Sequence, residues 1–340
     1  MRRVCVVLLL LLLLLASVPA SGQEAAQTFT WRTAGMVLQY PSSWLVGEYE
    51  GTPLLVSSED GLVNATAGEA PGTLAFGFYN YPQTNALSPL AFLNALFPDV
   101  ESEISTFAGT TSFNTEFSDE ATGQTIHAIA FLSPVSRNPH VIVAIAPNEE
   151  WETVRPVVES VLSTAQFLNG SATFSFLGTD LLFQYPREWR ADSNGQVFVV
   201  APENPTGILN GDLDTAEVFV RAQILAVEGI GIDPESEDVA GQVLEAFAGM
   251  PLETIDFTWG EDFPAVAAEF EFEDKMLLLV SVVVDDTAVL LGGGSTAETW
   301  SFNRRFVLGA LDLASINEIT PPAKLTSLLN GDVDEEAIFG

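Results

Sequence analysis

Seventeen residues of this chain occur twice. Thr28 to Trp44 reads TFTWRTAGMVLQYPSSW and Thr173 to Trp189 reads TFSFLGTDLLFQYPREW, aligned without a gap at an offset of 145. Six positions are identical: Thr28/Thr173, Phe29/Phe174, Gln39/Gln184, Tyr40/Tyr185, Pro41/Pro186 and Trp44/Trp189. A repeat of this length and spacing predicts two copies of one domain in tandem rather than one large fold. Whatever a copy folds into must therefore close its own core within about 145 residues, an ordinary domain size.

Inside each copy, alternating apolar residues predict two strands that stop at Pro41 and Pro186, because proline cannot donate to a sheet ladder. The tryptophan three residues on is expected to fold back and anchor the turn by burial, worth about 2 to 3 kcal/mol. The first copy continues with a strand at Pro53–Ser57, a loop at Ser58–Gly72 and a strand at Thr73–Tyr81. A helix opened by Ser88-Pro89 follows, then three strands at Ser112–Phe117, Thr125–Leu132 and His140–Ala146. Asn148 is expected to cap a closing helix in which Trp151, Val154, Val158, Val161, Leu162 and Ala165 share a face, with Pro156 as a kink. The second copy repeats the order, with a loop at Pro202–Thr215, a middle helix opened by Asp233-Pro234 over Glu235–Met250, and a strand at Thr287–Leu291. Gly292-Gly293-Gly294 then reads as a strand-to-helix turn, and Ser295 with Glu298 as a capping box for a last helix. In that helix Trp300 and Arg304 keep the spacing of Trp151 and Arg155. The expected fold is α+β: two tandem sandwiches, each a mostly antiparallel sheet covered by helices, over residues 28–168 and 173–317, with a mobile acidic tail at 318–340.

The first residues constrain location. Arg2 and Arg3 precede an apolar run from Val6 to Leu15 and then Ser17-Val18-Pro19-Ala20, which predicts a secretory signal over residues 1–20 and a secreted or cell-envelope location. Cys5, the one cysteine, lies inside that segment, so the mature chain is expected to use neither disulfides nor thiolate chemistry. Asp and Glu number 46 against 12 Lys and Arg, a net charge of −34. Such a field repels phosphate backbones and anionic lipid heads, so neither nucleic acid nor a charge-held membrane surface is an expected partner.

Chemistry is harder to place. Asn210-Gly211-Asp212-Leu213-Asp214 puts alternate carboxylates in a glycine-bearing loop, where Asp212 and Asp214 are candidate calcium ligands, although plain turn chemistry explains the same residues. Glu269, Glu271 and Glu273 alternate with Phe270 and Phe272, a pattern that predicts a solvated strand face with phenylalanines inside. His127 and His140 both fall on predicted strands and lack the cysteines a transition-metal site would add. No Gly-x-Ser-x-Gly occurs, and no catalytic residues are assigned.

Tyr40-Pro41 with Trp44, Tyr185-Pro186 with Trp189, a terminal helix bearing a tryptophan, and the strand and helix order between them resemble the PsbP-like α/β-sandwich superfamily. That superfamily includes the extrinsic photosystem II protein PsbP and bacterial DcrB-type envelope proteins. The resemblance implies a non-enzymatic binding or assembly module, often secreted; apart from calcium at the acidic loop, no cofactor is expected. It spans both copies, and the matched residues are scaffold residues, so it transfers no binding site. The expected function is that of a secreted, non-catalytic binding or assembly-support protein with a protein partner outside the cytoplasm. The alternative is a calcium or small-molecule carrier that uses the acidic loops and the groove between the copies.

Overall fold

The structure is a computed structural model, and it describes residues 26–80, 88–98, 100–213, 216–250, 252–323 and 325–331. The expected signal segment lies outside the described residues. In the first unit the elements run β1 (Ala26–Trp31), β2 (Met36–Pro41), β3 (Leu45–Tyr49), β4 (Thr52–Val56), α1 (Glu59–Thr66), β5 (Ala75–Asn80) and α2 (Pro89–Leu96). They continue with β6 (Glu103–Phe107), β7 (Thr110–Asp119), β8 (Gln124–Leu132), β9 (Pro139–Pro147), α3 (Trp151–Ser163) and β10 (Gln166–Phe167). The second unit runs β11 (Gly170–Phe176), β12 (Thr179–Tyr185), β13 (Arg190–Ser193), β14 (Val197–Ala201), α4 (Pro205–Leu209), β15 (Val218–Ala226) and α5 (Val239–Ala248). It ends with β16 (Ile255–Trp259), β17 (Phe263–Phe272), β18 (Lys275–Val284), β19 (Thr287–Thr296), α6 (Trp300–Asp312), β20 (Ser315–Ile316) and α7 (Leu325–Asn330).

Sheet order confirms the duplication. The first unit has a seven-stranded sheet β3-β4-β5-β9-β8-β7-β6 and a three-stranded sheet β1-β2-β10; the second has β13-β14-β15-β19-β18-β17-β16 and β11-β12-β20. Every pairing between these strands is antiparallel. Among the described residues no sheet runs through both units. In each unit the small sheet and the last long helix cover one face of the large sheet, and the two shorter helices cover the other. Central strand β9 is therefore buried on both faces: Ile142 and Ala144 join the core under α3, while Val141 and Val143 pack under α2. A strand covered on both sides reads as an almost continuous apolar run, as PHVIVAIAP does.

The Tyr-Pro-x-x-Trp turns behave as expected. Trp44 N–H donates to Pro41 O and Trp189 N–H to Pro186 O, both at 3.0 Å. Both indoles are buried, Trp44 against Phe76 and Trp189 edge-on to Phe306. Ser88 caps α2 through Ala91 N–H, with Pro89 in the first turn, also as expected.

Other expectations fail for local reasons. The stretches Ser58–Gly72 and Pro202–Thr215 are not open loops: Ser58 accepts from Gly61 N–H to start α1, and Asn204 accepts from Gly207 N–H to start α4. Asn148 does not cap α3; its Oδ1 accepts from Thr125 Oγ, and Glu150 stands at the cap without a side-chain bond. Asp233 only holds a turn through Glu235 N–H, and α5 begins at Val239 under the cap of Asp238, five residues after Asp233. Ser295 is buried in β19, so no capping box forms.

The largest difference is the glycine run. Gly292, Gly293 and Gly294 are the interior of β19, paired with β15 on one side and β18 on the other. A Cβ on Gly293 would sit 2.1 Å from Phe219 O, and one on Gly292 2.1 Å from Leu278 O. Three glycines there mark close backbone approach inside a sheet, the other established meaning of glycine in a strand.

Candidate binding site

The two units meet at α6. Ten of its thirteen residues are buried: one side joins the core of the second unit, the other lies on β1 and β2 of the first. The backbones approach closely at Gly309, where a Cβ would fall 2.3 Å from Val37 Cγ1 and 2.8 Å from Leu168 Cδ1. Val37 and Leu168, both from the first unit, thereby belong to the hydrophobic cluster of the second. Each half closes its own core as expected, and α6 adds an apolar seam through which Val37 and Leu168 extend the core of the second unit.

Polar contacts ring this joint. Arg32, in the turn after β1, grips Asp312 at the end of α6 through Nε (3.0 Å) and Nη2 (2.7 Å), a bidentate pair. The same guanidinium donates to the carbonyls of Pro321 and Pro322. Asp312 is buried, and desolvation holds its carboxyl above the ordinary value although Arg32 pulls the other way. Gln39 donates from Nε2 to Ser301 O at 2.7 Å and accepts from Arg305 Nη1 at 3.3 Å. Arg305 is buried between rings, 3.7 Å from the Phe302 centroid and 4.7 Å from Phe306, and burial pushes its guanidinium down to about 10.

The residues beyond 317 complete the joint. Thr30 and Thr326 share a hydroxyl bond at 3.2 Å, and Asn330 Nδ2 donates to Thr28 O at 2.9 Å. Arg304 closes the circuit, reaching Asn330 Oδ1, Leu329 O and, through Nε, Glu269 Oε2 at 2.8 Å. Leu325, Leu328 and Leu329 are buried. The stretch expected to be a mobile tail is thus a clasp as far as Gly331, and residues 332–340 lie outside the described residues.

The residues singled out from sequence fall into structural roles or remain apart. Glu269 accepts from Trp300 Nε1 at 2.7 Å and from Arg304, and Glu271 and Glu273 are exposed as expected, but Phe270 is half-buried and Phe272 41% exposed, so buried phenylalanines do not back this face. Arg155 repeats the Arg304 pair by binding Glu116, which also meets His127 Nδ1 at 3.3 Å. His140 is buried between Trp31 and Phe131. Its Nδ1 donates to Asn80 Oδ1 and its Nε2 accepts from Ser136 Oγ, both at 2.9 Å, and desolvation lowers its pKa to about 4. The ring is therefore neutral and structural. Asp212 is exposed just beyond α4, with its N–H on Gly207 O, and Asp214 lies outside the described residues. Among the described residues no three His, Cys, Asp or Glu side chains stand together as a metal cluster. A groove does lie at the junction: a cavity of about 460 Å3 bordered by Ala108–Thr110, Gln166 and Glu188, crossed by the Gln166 Nε2 to Glu188 bond of 2.8 Å.

Sequence reasoning missed Arg32, Gln39, Asp312 and Thr326 as a set. A usable signal was present: α6 reads WSFNRRFVLGALD, with apolar residues on every side, and a helix apolar all round is a buried one.

No family model matches the chain, and no curated protein matches it. Among solved structures it is similar to cyanobacterial PsbP (CyanoP) from Synechocystis sp. PCC 6803, at 13% identity and TM-score 0.31, covering 44% of this chain and 97% of that one. It is similar to LpqN, involved in cell envelope biogenesis of Mycobacterium tuberculosis, at 12% identity and TM-score 0.30, covering 42% and 89%. A third similar structure, from Bacteroides thetaiotaomicron VPI-5482, gives 11% identity and TM-score 0.28 over 78% of this chain and 88% of that one. A PsbP protein stands among the structures this chain is similar to.

Proposed function

We propose that this chain is a non-catalytic binding or assembly-support protein that works outside the cytoplasm and presents its two sandwiches to a protein partner as one body. The observation that supports this reading is the joint itself. A helix buried on both sides, a bidentate ion pair and a clasp from beyond residue 317 fix the two units against each other. A duplicated module held that firmly offers one composite surface, whereas a loose tandem would offer two separate ones. On that surface α1 and α4 occupy the same place in the two units, each against the first two strands of its large sheet, and the acidic field favours a partner with a basic face. Among the described residues no helix is long and apolar enough to cross a membrane.

The test is in-place cross-linking of the exported chain followed by mass spectrometry, run beside Arg32→Ala, which loosens the joint. A partner captured by the parent chain and lost from the variant is the expected result. Recovery of the same partner by either isolated unit would sink the composite-surface reading, and turnover in a broad substrate screen would sink the non-catalytic one. Calorimetry with calcium tests Asp212 and Asp214, for which saturable micromolar binding would favour the carrier.

A further inference from the structure

The second unit holds a cavity of about 630 Å3, within the 300 to 1,000 Å3 range of small-molecule sites. Its walls are the β11–β12 hairpin tip at Leu177, strand β15 at Gln223 and Leu225, and helix α5 at Val243 and Phe247. Three large apolar side chains stand at its mouth in contact with solvent: Leu177 is 52% exposed, Ile230 43% and Phe247 41%. Leu177 is strained as well as exposed. It holds φ +51° ahead of Gly178 at +79°, a left-handed pair in which the first position belongs to Asn, Asp or Gly. The matching turn of the first unit avoids this strain: Arg32–Ala34 form a single 3-10 turn and its one left-handed residue is Gly35. Leu177 takes that conformation with a full side chain.

A cation stands just behind one wall of the cavity. Arg221 lies on the same face of β15 as Gln223, with Nη2 on Gln223 Oε1 at 3.0 Å and Cζ 5.2 Å from the Phe247 centroid. Both residues it touches line the cavity. Its Nε is buried without a hydrogen-bond partner, and among the described residues it makes no salt bridge. The residue opposite it on β19 is Gly292, and the space over that glycine is taken by the side chain of Leu279, which brings no charge to Arg221. In a chain with 46 acidic residues, a guanidinium left without a carboxylate is a group reserved for something else.

We propose that this cavity binds an amphiphile with an apolar body and one carboxylate head, the head seated at Arg221 and Gln223 and the body among Leu177, Leu225, Val243 and Phe247. The shape and the charge each select a part of the ligand. Apolar walls of this size take an aliphatic or aromatic body, and a guanidinium edge matches a carboxylate in two parallel bonds. The exposed apolar mouth is then covered on binding, and the turn at Leu177 gains the contact that its strained backbone lacks in the free chain.

Calorimetric titration of the mature chain with dodecanoate, dodecanol and dodecyltrimethylammonium, each below its micelle concentration, tests the site. Dodecanoate is expected to bind saturably at one per chain, dodecanol more weakly, and the cation not at all. Arg221→Gln should weaken dodecanoate about tenfold or more and leave dodecanol unchanged. Ala246→Trp, on the exposed side of α5 where it lines the cavity, should abolish binding of both. Should Arg221→Gln fail to fold, Gln223→Leu reads the same head contact. The proposal is overturned by no saturable dodecanoate heat, by equal affinity in Arg221→Gln, or by a dimer in light scattering that Ala246→Trp dissolves. That last result would make a second copy the occupant.

Discussion

The two closing helices, α3 and α6, align without a gap at an offset of 149 and have opposite surroundings. Toward their own sheets they agree: Trp151, Val158, Val161 and Leu162 are buried in α3, as are Trp300, Val307, Ala310 and Leu311 in α6. On the other side they diverge. Pro156, Val157, Glu159, Ser160 and Ser163 are exposed, whereas Arg305, Phe306, Leu308, Gly309 and Asp312 are buried. Duplication copied the inward face because the sandwich cannot close without it. The outward face carried no such demand, and in the second unit it became the seam with the first. Each apolar side chain added there contributes about 1.5 to 3 kcal/mol of burial, so the seam is comparable in strength to part of a domain core.

If that contrast is right, equivalent perturbations in the two units should have unequal effects. The greatest inequality is expected between Arg32→Ala and Arg155→Ala. Removing Arg32 leaves Asp312 a buried carboxylate with no countercharge and only Thr326 to hold it, which costs about 3 to 5 kcal/mol. Urea unfolding should then separate into two transitions as the units uncouple. Arg155 and Glu116 are 39% and 32% exposed, so their pair is worth at most about 1 kcal/mol. Equal losses in the two variants would refute the contrast.

A second inequality concerns pH. At the same offset, buried His140 of the first unit stands where the second has buried Val289. With its folded pKa lowered from 6.5 to about 4, His140 is neutral in the native chain while the unfolded chain takes up a proton between those values. The unfolded state therefore binds more protons in that window, and stability rises with pH. The contribution is fully present above 6.5 and is lost as pH falls toward 4, on the order of 3 kcal/mol in all. His140→Val should remove this slope from unfolding midpoints measured between pH 4 and 7, while lowering them throughout. A slope that survives the substitution would place its origin elsewhere.

Packing at the seam gives a third. Gly309→Val drives a side chain into Val37 and Leu168 and should cost about 1 to 3 kcal/mol. Ser160→Val, at the matching exposed site of α3, should stay within about 0.5 kcal/mol. Thermal melting of the pair decides it, and similar losses would mean that α6 is not confined as described.

What could be read from the sequence follows the same division. Inward patterns were legible because periodicity reports burial: the paired strands, the Tyr-Pro-x-x-Trp turns and the apolar stripe of α3 all follow from it. The three-stranded sheets were not, since β10 and β20 are two residues long and exist only through pairing with β2 and β12. Gly292–Gly294 defeated local reasoning because glycine marks both a turn and a place where backbones touch, and only Phe219 O and Leu278 O distinguish the two. The joint is built from single residues up to 302 positions apart, such as Thr28 and Asn330, and no local pattern announces a contact at that range. Arg221 was invisible for the opposite reason: what matters about it is the missing carboxylate.

The smallest expected difference concerns the one motif both helices kept, an arginine four residues after the tryptophan and a glutamate on the facing strand. In the second unit Glu269 holds two donors, Trp300 Nε1 at 2.7 Å and Arg304 Nε at 2.8 Å, and Arg304 in turn holds the end of α7. In the first, Glu116 meets Arg155 and His127, and Trp151 Nε1 is buried with no hydrogen-bond partner. Glu269→Gln turns one acceptor into a donor facing a donor, which should cost about 1 kcal/mol after allowance for a side chain one-third exposed. Glu116→Gln should cost about half that. The sharper readout is the indole N–H resonance: that of Trp300 should move on Glu269→Gln, and that of Trp151 should stay in place on Glu116→Gln. A matching shift at Trp151 would mean that the first unit has the same bond, and that the seam did not recruit this pair.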